Sequence, residues 1–154
     1  MKSLFWHRII VAAVLSAVPG TVLAEPAQSL QRLDGMWIFR ATFPGQTQPV
    51  YTGTARFLAD GTFSGPPNDQ HTGPVFGEWI RTGKGEFAFT FVANTYDDAG
   101  NFRTTNRVRG MMTLSDDGLS ATGKTMVDIF DTAGQVILSR TSPFTGTRIV
   151  VEPF

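Results

Sequence analysis

The sequence predicts an all-β fold, an eight-stranded antiparallel up-and-down barrel, and three observations carry that prediction. Turn signals recur at short intervals: Pro44-Gly45, Asp60-Gly61, Gly83-Lys84-Gly85, Asp98-Ala99-Gly100-Asn101, Asp116-Asp117-Gly118 and Thr132-Ala133-Gly134. Each contains residues that tolerate positive φ or initiate turns. The segments between them are rich in Val, Ile, Phe, Thr and Tyr and alternate apolar with polar, as in Phe87-Ala-Phe-Thr-Phe91, the period-two signature of strands. No segment after Ala27 combines a helical start, stripe and stop.

The elements follow in order. Lys2 and Arg8 flank a charged start, Ile9 to Val18 is an apolar run, and Val22-Leu23-Ala24 offers small residues for cleavage. Residues 1–24 therefore read as a signal peptide, too short in its apolar run to span a membrane. The expected localisation is periplasmic or secreted. Residues 25–34 are a lead-in, and 35–154 form one barrel domain. Strands are expected at roughly 35–43, 49–58, 61–64, 75–82, 86–97, 102–114, 118–131 and 134–150. The break at Gly65-Pro-Pro-Asn-Asp-Gln-His-Thr-Gly-Pro74 holds too many prolines to pair and is read as a loop. The later strands exceed the usual sandwich length of roughly 5 or 6 residues, and closure removes exposed edges, which favours a barrel over a two-sheet sandwich.

Composition narrows the function classes. The chain of 154 residues contains no cysteine, so disulfides and thiolate metal sites are excluded and stability must come from packing. Once Lys2 and Arg8 leave with the signal, 11 basic residues face 13 acidic ones. That balance argues against nucleic acid or an anionic membrane surface as the main partner.

Energetics assigns the faces. In 86–97 one face carries Phe87, Phe89, Phe91 and Ala93. In 102–114 one face carries Arg103, Thr105, Arg107 and Arg109, the other Phe102, Asn106, Val108, Met112 and Leu114. Leaving three Phe in water forgoes about 2 kcal/mol each, and burying unpaired Arg costs more, so Phe points in and Arg out. The same argument turns Trp37, Phe39, Ala41, Phe43, Tyr51, Gly53, Ala55 and Phe57 inward, with Leu119, Ala121, Gly123, Thr125, Val127 and Ile129. Eight strands can enclose side chains alone or one small ligand. The small residues Gly53, Ala55, Ala121 and Gly123 are expected to leave room for a ligand.

Gly35-Met36-Trp37 on the first strand, followed by an arginine on the last strand, Arg148 or Arg140, resembles the G-x-W and closing arginine of the lipocalins in the broad calycin sense. A guanidinium over an indole would close one barrel end by cation–π attraction. The chain is also similar to small lipocalin-like barrels secreted by bacteria, in its D-x-x-G turns and its Gly146-Thr-Arg-Ile-Val-Val-Glu-Pro153 tail. The family's T-D-x-x-Y segment is missing; Asn94-Thr-Tyr-Asp97 only echoes it. The resemblance implies the fold more than an activity; the inward aromatic set with the small residues beside it leads to the expectation of a barrel that binds a small hydrophobic molecule inside. The expected ligand-binding residues are Phe39, Phe43, Tyr51, Phe57, Phe89, Phe91, Asn106, Met112 and Val127, with Asn106 as polar handle and Trp37 and Arg148 as the closure. Two alternatives stay open: an isomerase or cyclase similar to allene oxide cyclase, using an inward Glu78, Arg140 or Tyr51, and a filled barrel acting as an interaction module.

Other chemistry has little footing in the residues. After the signal the one histidine is His71, in the proline-rich loop near Asp69, which makes neither a catalytic triad nor a zinc site. Asp97-Asp98 and Asp116-Asp117 read as hairpin turns, since no spaced set of calcium ligands follows. No catalytic residue, metal or cofactor is expected. Trp79 is read as inward and Glu78 as solvated, because burying an unpaired carboxylate is costly. Arg103, Arg107 and Arg109 read as a solvated outer stripe beside Asp128, and such charges on the outer face exclude an outer-membrane barrel. Gly118-Leu-Ser-Ala-Thr-Gly-Lys-Thr125 matches a nucleotide-binding P-loop. A P-loop needs a preceding buried parallel strand and a following helix, and the context here supplies a hairpin turn and a strand.

Overall fold

The computed structural model describes residues 32–42 and 51–153. Among them eight strands run in sequence: β1 (Gly35–Ala41), β2 (Tyr51–Phe57), β3 (Thr62–Gly65), β4 (Val75–Gly83), β5 (Glu86–Tyr96), β6 (Phe102–Leu114), β7 (Ser120–Phe130) and β8 (Val136–Arg148). Each pairs antiparallel with its neighbours, and β1 pairs with β8 from Trp37↔Arg148 to Ala41↔Phe144, so the sheet closes into a barrel. The expected fold class and strand order hold. The signal peptide and Phe43 lie outside the described residues.

Two of the hairpins share one device. Between β5 and β6 the Asp97 N–H donates to the Asn101 carbonyl, and the Asp97 carboxylate accepts the Ala99 and Asn101 N–H groups, with Gly100 at φ 79°. Asp131 repeats the arrangement between β7 and β8, accepting from Ala133 and Gln135 with Gly134 at φ 77°. The aspartate supplies acceptors that the reversing backbone lacks, and glycine alone takes the left-handed position without strain.

That turn also sets which face is inside. The loop spans Asp97 to Asn101, one residue more than the sequence suggests, and it pairs Tyr96 with Phe102. Continued unchanged, this register would bring Arg107 opposite Phe91. A one-residue bulge between Tyr96 and Thr95 shifts it, so that Phe91 faces Val108 and Ala93 faces Asn106. A slip of one residue exchanges the two faces of a strand, and here the bulge keeps Arg103, Arg107 and Arg109 outside. The same bulge turns Phe102 outward, to 40% exposure against Tyr96, correcting its expected inward placement. Leu119 likewise precedes β7 and is exposed.

The buried core includes Leu33, Trp37, Phe57, Phe63, Phe87, Phe89, Met112, Leu114 and Phe144. On the outer wall Asp128 is nearly covered: Arg109 Nη2 stands 2.6 Å from its Oδ2, Arg107 Nη2 3.4 Å, and Ser139 donates to Oδ1 at 2.7 Å. The Ser139 hydroxyl, followed by the arginines, holds its carboxyl below the usual carboxylate range. Arg107 and Arg109 are therefore paired with Asp128, as their position beside that residue suggested, and Arg103 stands 3.6 Å from Asp97 Oδ2 instead. Among the described residues, no helix is long and apolar enough to cross a membrane.

Candidate functional site

The two ends of the barrel differ. At one end the G-x-W segment forms a plug. The Arg148 guanidinium lies 4.6 Å from the centre of a Trp37 ring that is fully buried. It donates to the carbonyls of Gly118 at 2.8 Å, Asp34 at 2.6 Å and Arg32, while the Trp37 indole N–H donates to the Leu33 carbonyl at 2.9 Å. Gly35 has φ 128°, and a Cβ there would stand 2.8 Å from Arg148 Nη1. The glycine of G-x-W is therefore required both by its backbone conformation and by the arginine above it. Of the two candidates, Arg148 is the closing arginine. Burial pulls its pKa down, and Asp34 opposes that pull.

Above the plug, the layer of Trp79, Phe87, Met112 and Leu114 continues the core. Beyond it the barrel is hollow. A cavity of about 350 Å³ is lined by six phenylalanines, Phe39, Phe57, Phe63, Phe89, Phe91 and Phe144, together with Ala41, Ala55, Val75, Ala93, Val108 and Val127. At ~30 Å³ per water-sized group, it holds about a dozen such groups.

Cross-strand glycines explain why so many rings leave space between them. Phe89 pairs with Gly110, Phe144 with Gly123, Phe63 with Gly77, and Phe39 with Gly146, and each ring covers its glycine. A Cβ on Gly110 would stand 2.6 and 2.7 Å from the Phe89 Cε atoms. On Gly123 it would be 2.5 Å from Phe144 Cζ, and on Gly146 2.7 Å from Phe39 Cε1. These rings therefore lie on bare backbone along the wall instead of reaching for the barrel axis. The glycines do not themselves provide the ligand space that the sequence suggested. Gly123 is covered by Phe144, and Gly53 by Tyr51 and Asn68. They seat the rings, and the space opens at the centre. The rings meet one another edge-to-face or stacked, at centroid distances of 4.9–6.2 Å, within the favourable range for aromatic pairs.

Polar groups gather toward the other end. Tyr51 opens β2, the β3–β4 loop contributes Asn68, Asp69 and Thr72, and Asn106, Thr125, Arg140 and Ser142 come from β6, β7 and β8. The Tyr51 hydroxyl and the Asn68 side chain are hydrogen-bonded, and burial, partly offset by that bond, raises the Tyr51 pKa above the ordinary phenol value. The Asp69 carboxylate accepts the His71 N–H at 2.8 Å, and the Thr72 hydroxyl bond holds its pKa down. The Ser142 hydroxyl donates to Thr42 O at 3.0 Å and Thr125 donates to Ser142 O at 3.3 Å.

Of the expected ligand-binding residues, Phe39, Tyr51, Phe57, Phe89, Phe91, Asn106 and Val127 come together around this cavity. Met112 does not line it; it is 3% exposed in the layer beneath the cavity floor, opposite Gly123. Phe43 lies outside the described residues. Sequence reasoning missed Phe63 and Phe144, whose strands were recognised but whose faces were not assigned. It also missed Asn68, Asp69 and Thr72, because a proline-rich loop shows no sign in sequence that it will fold over a barrel mouth. Trp79 packs inward, its indole donating to Leu58 O at 3.0 Å, and Glu78 is exposed. Glu78 therefore supplies no acid or base to the cavity, whereas Arg140 lines it.

His71 stands in the loop beside Gln70 and Asp98. Among the described residues no group of three His, Cys, Asp or Glu side chains could hold a metal. In the segment that resembles a P-loop, Gly118 makes a turn at φ 68° and Ser120–Phe130 is strand β7, with Lys124 exposed on the outer face. No helix follows the glycine, so no phosphate cradle forms.

No family model, no curated protein and no solved structure matches the chain. What stands from the geometry is an eight-stranded antiparallel up-and-down barrel, consistent with a calycin-like fold.

Proposed function

We propose that this chain is an exported, lipocalin-like barrel that binds one small hydrophobic molecule in its lumen. The observation that carries the reading is the hollow interior: six phenylalanines border about 350 Å³, and four of them, Phe39, Phe63, Phe89 and Phe144, are seated on cross-strand glycines. A barrel selected only to be solid would fill that centre, since protein interiors pack to crystal-like density. Volume and apolar lining fall in the range of small-molecule sites. The G-x-W plug and its arginine support the lipocalin resemblance, and residues 1–24 support export. With Glu78 in solvent, the alternative of an isomerase or cyclase loses its strongest acid or base.

Native mass spectrometry of the protein recovered from its natural compartment tests the proposal. The expected spectrum holds a minority or majority species carrying one additional small molecule, lost on delipidation and restored by a hydrophobic ligand. Protein that is always ligand-free, binds no hydrophobic fluorophore and crystallises with a solid interior would overturn it.

A further inference from the structure

We infer that the lumen recognises a compact amphiphile, a ring or branched hydrocarbon of about a dozen non-hydrogen atoms carrying one uncharged hydroxyl-type head, and that Tyr51 and Asn68 bind that head. This rests on the ligand-binding reading above and adds the class of ligand.

The body follows from shape. The layer of Trp37, Trp79, Phe87 and Leu114 fills the plugged end, so the lumen is short and an extended chain cannot thread the barrel. What remains is a chamber of about 350 Å³ between aromatic faces, suited to a bicyclic or branched skeleton.

The head follows from counting hydrogen-bonding capacity. Most polar groups around the cavity are already engaged in holding the wall: Asp69 by its own loop, Ser142 by Thr42 and Thr125 by Ser142; Asn106 accepts from Thr104 through Oδ1 at 3.4 Å, which turns only its NH₂ donors to a ligand. Arg140 also has an interaction of its own. Tyr51 and Asn68 are bonded to each other, and this leaves capacity to spare. If the hydroxyl donates to the amide oxygen, the phenol oxygen and the amide NH₂ remain; if the amide donates, the phenol O–H and amide oxygen remain. Either way one donor and one acceptor stand side by side.

Gly53 makes this placement possible. A Cβ there would meet Asn68 Oδ1 at 2.6 Å and Tyr51 Cζ at 2.7 Å, so the pair is folded against bare backbone of β2. The pair carries no charge, and burial keeps the phenol protonated. The pair itself offers an anionic head no opposite charge, whereas a hydroxyl can both donate to it and accept from it.

The test titrates the full mature chain with naphthalene, 2-naphthol and 2-naphthoate, following tryptophan fluorescence, in wild type, Tyr51→Phe, Asn68→Ala and Arg140→Met. Tyr51→Phe keeps the ring and deletes the hydroxyl. The expected result is that both Tyr51→Phe and Asn68→Ala weaken 2-naphthol by about fivefold more than they weaken naphthalene, the effect of one net hydrogen bond. Equal factors for the two probes in both variants would overturn the inference while leaving a hydrophobic lumen intact. So would tightest binding of 2-naphthoate with a dependence on Arg140, which would assign the head to a carboxylate. Failure of all three probes to bind wild type would instead sink the ligand-binding reading beneath it.

Discussion

Substituting Gly110 by alanine isolates the feature that makes the barrel hollow. Its backbone lies outside the left-handed region, so alanine meets no conformational objection, and on an open strand the change would stabilise by about 0.4–1 kcal/mol through the unfolded chain. Here the new Cβ would stand 2.6 and 2.7 Å from the Cε atoms of Phe89, where carbon atoms prefer about 3.5–4.0 Å. The ring must retreat by about 1 Å or more, and the free direction is the lumen. Overpacking of this kind costs about 1–3 kcal/mol, so the net expectation is a loss of about 1–2 kcal/mol. Urea unfolding should show a lower midpoint with an unchanged slope, and binding of a hydrophobic fluorophore should weaken as the ring enters the cavity. Phe89→Leu, which removes the far edge of the ring, should relieve much of the penalty in the double variant. A Gly110→Ala protein that is as stable as wild type or more so, with full ligand affinity, would refute the idea that the glycines seat the rings.

Three further outcomes follow from other parts of the structure. Arg148→Lys keeps the charge but loses the planar fork that reaches the carbonyls of Gly118, Asp34 and Arg32; stability should fall by about 2 kcal/mol, read from the urea midpoint, and Trp37 fluorescence should shift toward that of an exposed indole. Asp60, Asp117 and Asp128 are held below the ordinary carboxylate range chiefly by the hydroxyls of Thr62, Ser115 and Ser139, and Asp97 by the Asn101 N–H. Their contribution is present above the unfolded value of about 3.9 and disappears as pH falls through the lower folded values. The urea midpoint should therefore drop below about pH 4, and the drop should be smaller in Asp128→Asn. Tyr51 has the opposite sign: its pKa is raised, so its contribution is intact below the unfolded value of about 10 and is lost as pH rises through the folded one. Phenolate absorbance should show one tyrosine titrating above the ordinary phenol range, and Tyr51→Phe should abolish that step.

The fold was readable because each of its causes is local. Asp-x-x-Gly turns, the period-two alternation of Phe87 to Ala93 and the cost of burying arginine need no knowledge of distant residues. The inward face of β5 was readable for the same reason, although the route to it was not. The loop from Asp97 to Asn101 is one residue longer than the turn signal suggests, and a bulge beside Thr95 restores the parity. A bulge is a compromise between two strands, and neither strand announces it alone. The site divides along the same line. Phe39, Tyr51, Phe89 and Val127 follow from strand parity, whereas the seating of Phe144 on Gly123 depends on register between β7 and β8. The contribution of Asn68 depends on how a proline-rich loop returns over the mouth, and that is set by tertiary packing. Met112 has the parity of a lining residue but sits one layer too deep, because parity gives the face and not the depth.

The most direct test of the central claim is a titration of wild type and a lumen-plugged variant, Val127→Trp, with naphthalene, after urea unfolding has shown both to be folded. Val127 lines the cavity between Val108 and Arg140 on the neighbouring strands, and an indole there would occupy much of it. Saturable binding of one naphthalene per wild-type chain, lost in the plugged variant, is the predicted result. No saturable binding to wild type, or equal binding to both proteins, would contradict a hollow, ligand-binding barrel.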